Sequence, residues 1–269
     1  MQYPNDEKIL VHHKEKWYFA VCLVISIAVY AALIVSVKGI PYLIALVVLS
    51  VFVHALAMAH LRLNGVRLSP RQFPEVYERI GRLCAQMGLP AVPDVYVVQS
   101  GGVLNAFATR FFRRNMIVVY ADIFELTATG ADDVLEFVIA HELAHLKRRH
   151  ITKHMLLLPA QWIPFLGKAY SRACEYTCDR IAAFITGNTD AAVNGLIMLA
   201  VGKGLYQRVN VGEYLHQSEQ NRGFFTWLAE KVSTHPPLPK RIAEVRRFMA
   251  GVTPKSFSLA GGQPVGTGP

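Results

Sequence analysis

The sequence predicts a mostly helical α+β domain that follows two membrane-crossing helices. Three features predict it: two uninterrupted apolar runs near the N-terminus, a long amphipathic stretch from Asp132 to His150, and two short β-rich runs at 95–99 and 115–122. The 269 residues hold one medium domain plus accessory segments.

The composition is 52% hydrophobic and only 17% charged, and the apolar excess sits near the N-terminus. After a polar N-terminal tail (1–16), Trp17 to Val37 supplies 21 uncharged residues. At about 1.5 Å per residue that is enough to cross a hydrocarbon core of about 30 Å. Lys38-Gly39 breaks the run and Ile40 to Leu61 forms a second, so 17–61 reads as a transmembrane hairpin with spans at 17–37 and 40–61. A cleaved signal peptide is the alternative for the first run; its long, partly acidic flank and the want of a small-residue cleavage site speak against it. Basic residues cluster before the hairpin (Lys8, Lys14, Lys16) and after it (Arg62, Arg67, Arg71), against Lys38 alone in the connection. That bias places both termini, and a 62–250 domain, in the cytoplasm of a multi-pass cell-membrane protein.

A net charge of +9 invites nucleic acid, yet no glycine-rich phosphate loop or RNA-binding signature accompanies it. An anionic membrane surface is the partner the charge fits. Four cysteines at irregular spacing give no disulfide framework and read as reduced thiols; Cys174 and Cys178 are weighed as soft metal ligands, with a harder ligand lying between them.

Val76, Ile80, Leu83, Cys84 and Met87 recur at helical spacing over 73–87, and Gly88 and Pro90 stop the pattern. Strands are expected at Val95–Gln99 and Asn115–Asp122, joined by 100–114 with Gly101-Gly102 and Asn105-Ala106-Phe107. A sheet edge here offers an extended peptide a place to pair, and a plain core role is the alternative. Met155 to Leu166 is apolar but too short to span; membrane surface, cleft cover and simple burial all stay open. Helices are expected over 191–207, 211–232 and 241–249, with a disordered tail at 251–269.

The 132–150 helix carries the chemistry. Residues four apart are about 40° apart in projection and roughly 6 Å along the axis, so His141 and His145 direct two imidazoles at one ion. Glu142, one step round, reaches a water bound to that ion, and H-E-x-x-H is the spacing of zinc proteases. Val134, Leu135, Val138 and Ile139 supply the apolar face, Asp132 or Asp133 a cap, and Lys147, Arg148 and Arg149 suit the C-terminal dipole. A third protein ligand is needed. The residue six places after His145 is Ile151, and His150, one place short, is expected to face away. Glu175 is the better candidate: a helix over 171–180 stacks it with Asp179, which can steady a ligating imidazole, while a solvated acid pair is the alternative.

These features resemble the membrane-embedded zinc metallopeptidases that include the HtpX-like proteases and the CAAX prenyl proteases. The matching residues run in order: Asn105-Ala106-Phe107 before a strand, HELAH at 141–145, Glu175 and Asp179 with Ser171-Arg172 ahead, and Thr234-His235-Pro236-Pro237-Leu238 leading to Arg241-Ile242. The resemblance implies a zincin-like (gluzincin) fold, Glu175 as third zinc ligand, His235 steadying an oxyanion, and Asn105 touching substrate backbone. HtpX-like members commonly carry two further apolar spans between the motif and the third ligand, where this chain has only Met155 to Leu166. CAAX prenyl proteases enclose a chamber with more spans still.

The expected protein is a membrane-anchored, cytosol-facing endopeptidase with one Zn2+ per chain. Glu142 takes a proton from water, and the substrates are polypeptides, membrane proteins in quality control above all. A processing protease for lipidated or signal-like peptides is one alternative, and a zinc-stabilised membrane scaffold without turnover is another. Oligomerisation is left open.

Overall fold

The computed structural model describes residues 3–4, 8–36, 39–99, 106–111, 114–126 and 130–256. It opens on the hairpin of α1 (His13–Val35) and α2 (Gly39–Asn64). α1 begins earlier than its apolar run because His12 caps it, its Nδ1 accepting from the Lys14 N–H at 3.3 Å. Val24, Ile27 and Ile34 of α1 and Val48, Phe52 and Leu56 of α2 are all exposed. Both helices are long and apolar enough to cross a bilayer, and a helix exposed and apolar on most sides needs an apolar solvent.

Among the described residues one sheet forms. Its strands are β1 (Val66–Arg67), β2 (Asp94–Val98), β3 (Ala106–Phe111) and β4 (Arg114–Tyr120), in the order β1-β2-β4-β3. β2 and β4 are parallel, and β3 returns antiparallel to β4 with Ala108 opposite Ile117, which leaves β3 at the edge. β3 was expected to be connecting chain. Phe107, Thr109 and Phe111 do alternate at strand spacing, a signal the reading of 100–114 as a connection passed over, and pairing with β4 fixes the strand. β4 is buried on both faces, which explains its unbroken apolar run. Ile117 and Val119 join the main core, whereas Met116 and Val118 pack with Tyr96 and with Met58 of α2. The sheet is thereby wedged between the end of the hairpin and the helical core.

α3 (Pro74–Gln86) matches its expected span closely. After α4 (Ala121–Phe124) comes α5 (Asp132–Lys147), followed by α6 (His150–Leu156), α7 (Leu158–Gln161) and α8 (Leu166–Thr186). Then come α9 (Thr189–Val201), α10 (Val211–Gln220), α11 (Phe224–Val232) and α12 (Leu238–Ser256).

Several expected helices are cut. The 132–150 helix breaks at Arg149, whose backbone is left-handed at φ 54°. α9 stops at Gly202, φ 86°, rather than at 207. The 211–232 helix is split before Gly223, and α12 continues through 251–256, where a disordered tail was expected. Residues 257–269 lie outside the described residues.

The N-terminal segment packs against α8 and the main core. Leu10 and Val11 are buried, and the His12 N–H donates to Thr177 Oγ1 of α8 at 3.1 Å. The 155–166 stretch folds back along α1: Leu157 and Ala160 pack with Cys22, and Ser26 Oγ accepts from the Ala160 N–H at 3.3 Å. Gly167 permits the turn into α8, since a Cβ there would sit 2.5 Å from the Gln161 Cα.

Candidate metal centre

α5 and α8 lie against each other at the heart of the fold. Ala140 and Ala144 of α5 and Ala182 and Ala183 of α8 are fully buried, and such small side chains let two helix backbones approach closely. Neither Asp132 nor Asp133 caps α5. Asp132 pairs with Arg79 at 3.3 Å, and Asp133 accepts from Asn188 at 3.1 Å, which ties the start of α5 to α3 and to the N-cap of α9.

The packing brings three donors together. His141 Nε2 and His145 Nε2 are 3.2 Å apart; His141 Nε2 is 3.5 Å from Glu175 Oε2, and His145 Nε2 is 3.2 Å from Glu175 Oε1. Two imidazole nitrogens and a carboxylate converging in this way, with His141 and Glu175 buried and His145 partly so, are a donor set that fits a cation of the zinc class. Asp179 stands behind His141, with Oδ1 2.9 Å from Nδ1, the carboxylate–imidazole arrangement that orients a metal-binding ring. The spacing argument for Glu175 and Asp179 thus meets a geometry that suits it.

Arg241 of α12 had no role in the sequence reading beyond its place in the family pattern. It donates from Nε to Asp179 Oδ2 and from Nη2 to Oδ1, both at 2.7 Å, and its Nη1 lies 3.0 Å from Glu175 Oε2. Burial opposes charge on both carboxylates, but Arg241 and the histidines outweigh it and hold Glu175 well below the usual carboxylate range; Asp179 is lowered in the same way, Arg241 leading. Burial also disfavours a charged His141, yet Asp179 and Glu175 outweigh it and push that imidazole up to about 10. The field that holds a proton on His141 equally favours a divalent cation in its place.

Glu142 is buried beside the two histidines and lines a cleft of about 320 Å3 with them. Among the described residues no hydrogen bond or ion pair occupies its carboxylate. Ala106, Phe107 and Ala108 at the start of β3 form part of the same wall. Asn105, the residue before them, lies outside the described residues.

His235 reaches the cleft from the 233–237 loop with its Nε2 3.8 Å from Glu175 Oε1, its side chain 63% exposed. Arg172 holds that loop, donating from Nη1 to the carbonyls of Lys231 at 2.9 Å and Ser233 at 2.7 Å. The Ser171-Arg172 pair gave the sequence pattern, but the carbonyls it binds, some 60 residues on, leave no local sequence signal.

His150 corrects the expectation that it faces away. The left-handed Arg149 turns the chain back, so His150 begins a new helix and sits buried with Nδ1 3.1 Å from His145 Nδ1. Burial lowers His150 to about 4, with His145 and Lys153 adding to the effect against the pull of Glu15. The four cysteines are free and buried; Cys178 lies 3.6 Å from His150 Nδ1, and burial raises the thiols of Cys174 and Cys178 well above the ordinary value.

The chain is similar to known proteins over most of its length. The model of peptidase family M48 matches residues 70–163 and 154–249. A protease HtpX homolog of Moorella thermoacetica is 27% identical over 262 residues, covering 80% of this chain and 85% of its own. A plastoglobule-localized metallopeptidase 48 of Arabidopsis thaliana is 31% identical over 219 residues, 72% of this chain and 62% of that protein. A protease HtpX homolog 2 of Methanosarcina mazei is 28% identical over 232 residues, 67% of this chain and 74% of its own. With the family model spanning β2 to β4, both site helices and roughly the first two thirds of α12, the chain belongs to peptidase family M48 as an HtpX-like metallopeptidase.

Proposed function

We propose that His141, His145 and Glu175 hold one zinc ion and that the protein is a zinc endopeptidase acting on polypeptides at the cytoplasmic face of a membrane. The observation that carries this reading is the convergence of the three donors, with the carboxylate of Glu142, unengaged among the described residues, next to them in one cleft. Bound there, zinc lowers the pKa of a coordinated water and polarises a carbonyl.

The residues of the chain supply the rest. Glu142 takes the proton of the attacking water and returns it to the leaving amine nitrogen. His235, held at the rim by the Arg172-fixed loop, donates from its ring N–H to the carbonyl oxygen as charge develops on it. Ala106, Phe107 and Ala108 of β3, the edge strand among the described residues, line the cleft, so an extended substrate laid against them can present one peptide bond to Glu142. Asn105, directly before β3, is placed by the family resemblance to touch that backbone. The hairpin supports a role in quality control of membrane polypeptides, since the domain of 62–250 works beside the bilayer that α1 and α2 enter.

The test is digestion of a flexible protein substrate by the purified protein in detergent. Glu142→Gln is expected to lose about 100-fold or more of the rate while keeping its zinc. Digestion at the wild-type rate with zinc retained contradicts the mechanism.

A further inference from the structure

The face of His145 turned away from Glu175 meets a second chain of buried polar groups. His145 Nδ1 lies 3.1 Å from His150 Nδ1, and His150 Nε2 lies 3.3 Å from Glu15 Oε1. Glu15 belongs to the first turn of α1, the first membrane helix, and it and His150 are each 1% exposed. Arg148 Nη2 at 3.0 Å and Lys153 Nζ at 3.6 Å face the same carboxylate oxygen.

We propose that Glu15 and His150 are positioning residues that fix the tautomer and the orientation of His145, and so fasten the first membrane helix to the metal centre. The inference rests on His145 being a metal ligand, as read above. A ring that binds a metal through Nε2 carries its proton on Nδ1. His145 then donates from Nδ1 to Nδ1 of His150. That leaves the His150 proton on Nε2, from which His150 donates to Glu15. The opposite tautomer of His150 would set two N–H groups against each other across 3.1 Å. Each ligating imidazole therefore has a carboxylate behind it, Asp179 directly for His141 and Glu15 through His150 for His145.

The break at Arg149 makes the arrangement possible. On an unbroken helix His150, five residues after His145, would stand roughly 140° round the axis from it. With φ 54° at Arg149 it turns back onto the His145 ring.

The experiment measures zinc affinity by chelator competition on the full-length protein in detergent, for wild type, His150→Phe and Glu15→Gln. Partners of this kind typically govern metal affinity by 10–100-fold, and His150→Phe is expected to weaken zinc by that factor. Excess zinc should then restore its peptidase activity. Glu15→Gln keeps an acceptor oxygen and is expected to lose less; if His150→Phe does not fold, a loss of at least threefold in Glu15→Gln carries the test. Zinc affinity within twofold of wild type in the folded variants overturns the proposal.

Cys178 supplies a second way to overturn it, because His145, His150 and Cys178 themselves lie close enough to share an ion. Two zinc ions per chain, one lost on Cys178→Ser, would put a metal where the His145–His150 hydrogen bond is assigned. A wild-type protein without zinc, or one whose zinc survives His141→Ala, sinks the metal centre itself rather than its connection to α1.

Discussion

Arg241 balances the charge of the site. It is 4% exposed and divides its guanidinium between Asp179 and Glu175, two buried carboxylates that would otherwise face each other's charge with only imidazoles for company. Removing one member of such a group leaves uncompensated charge, so Arg241→Met should cost about 3–5 kcal/mol of stability, measured by denaturation of the metal-free protein in detergent. The histidines set the pH response of the same form. His150 and His154 are lowered to about 4 chiefly by burial, so the stability they contribute is present above their unfolded value of about 6.5 and is lost as pH falls from there toward 4. His141 has the opposite sign: raised to about 10, it contributes fully below 6.5 and its contribution is lost as pH rises toward 10. The metal-free protein should therefore melt highest near pH 6.5, and a melting temperature that only rises or only falls between pH 4.5 and 9.5 would contradict this. At this scale His141, Glu142 and His145 were legible because their chemistry is local to one helix turn. Arg241, Arg172 and Glu15 were not, since their partners lie about 60 to 130 residues away and leave no periodic trace.

Among the elements, helices with one apolar face and a definite stop were read nearly to the residue, as α3 shows with Pro74–Gln86 against the expected 73–87. Elements fixed by tertiary contact were not. β3 exists because β4 pairs with it, and the end of α5 depends on one left-handed residue, Arg149, that carries no glycine to announce it. α9 shows how closely the helices fit around the site. A Cβ on Gly195 would lie 2.8 Å from the Phe137 ring, which is buried and stands near the His141 ring. Gly195→Ala is expected to destabilise by about 1–3 kcal/mol through overpacking and to weaken zinc binding by displacing Phe137 toward His141. Thermal melting and chelator titration of the variant check both effects, and an unchanged melting temperature would show that the ring moves freely.

For the whole molecule, the two long apolar helices were legible from composition alone, because each follows from a run of about 20 uncharged residues. What packs on them was not. Ser26 is 13 residues into α1, or roughly 20 Å along it, and its bond to Ala160 carries α7 that far along the first apolar helix. Trp162, just after α7, is 81% exposed. In a variant with Trp17 and Trp227 replaced by Phe, Trp162 fluorescence should be quenched by brominated lipid tails more strongly than by aqueous iodide, and the reverse order would place α7 outside the bilayer. The two candidate membrane helices and the three-donor site thus share one packed structure, with Glu15 at its joint.

The identity of the ligands is tested most directly by the zinc K-edge absorption spectrum of the purified protein. Two imidazoles and oxygen donors at about 2.0–2.2 Å, with no sulfur, are the result expected for His141, His145 and Glu175. A Zn–S distance of about 2.3 Å would move the metal to His145, His150 and Cys178 and contradict the account.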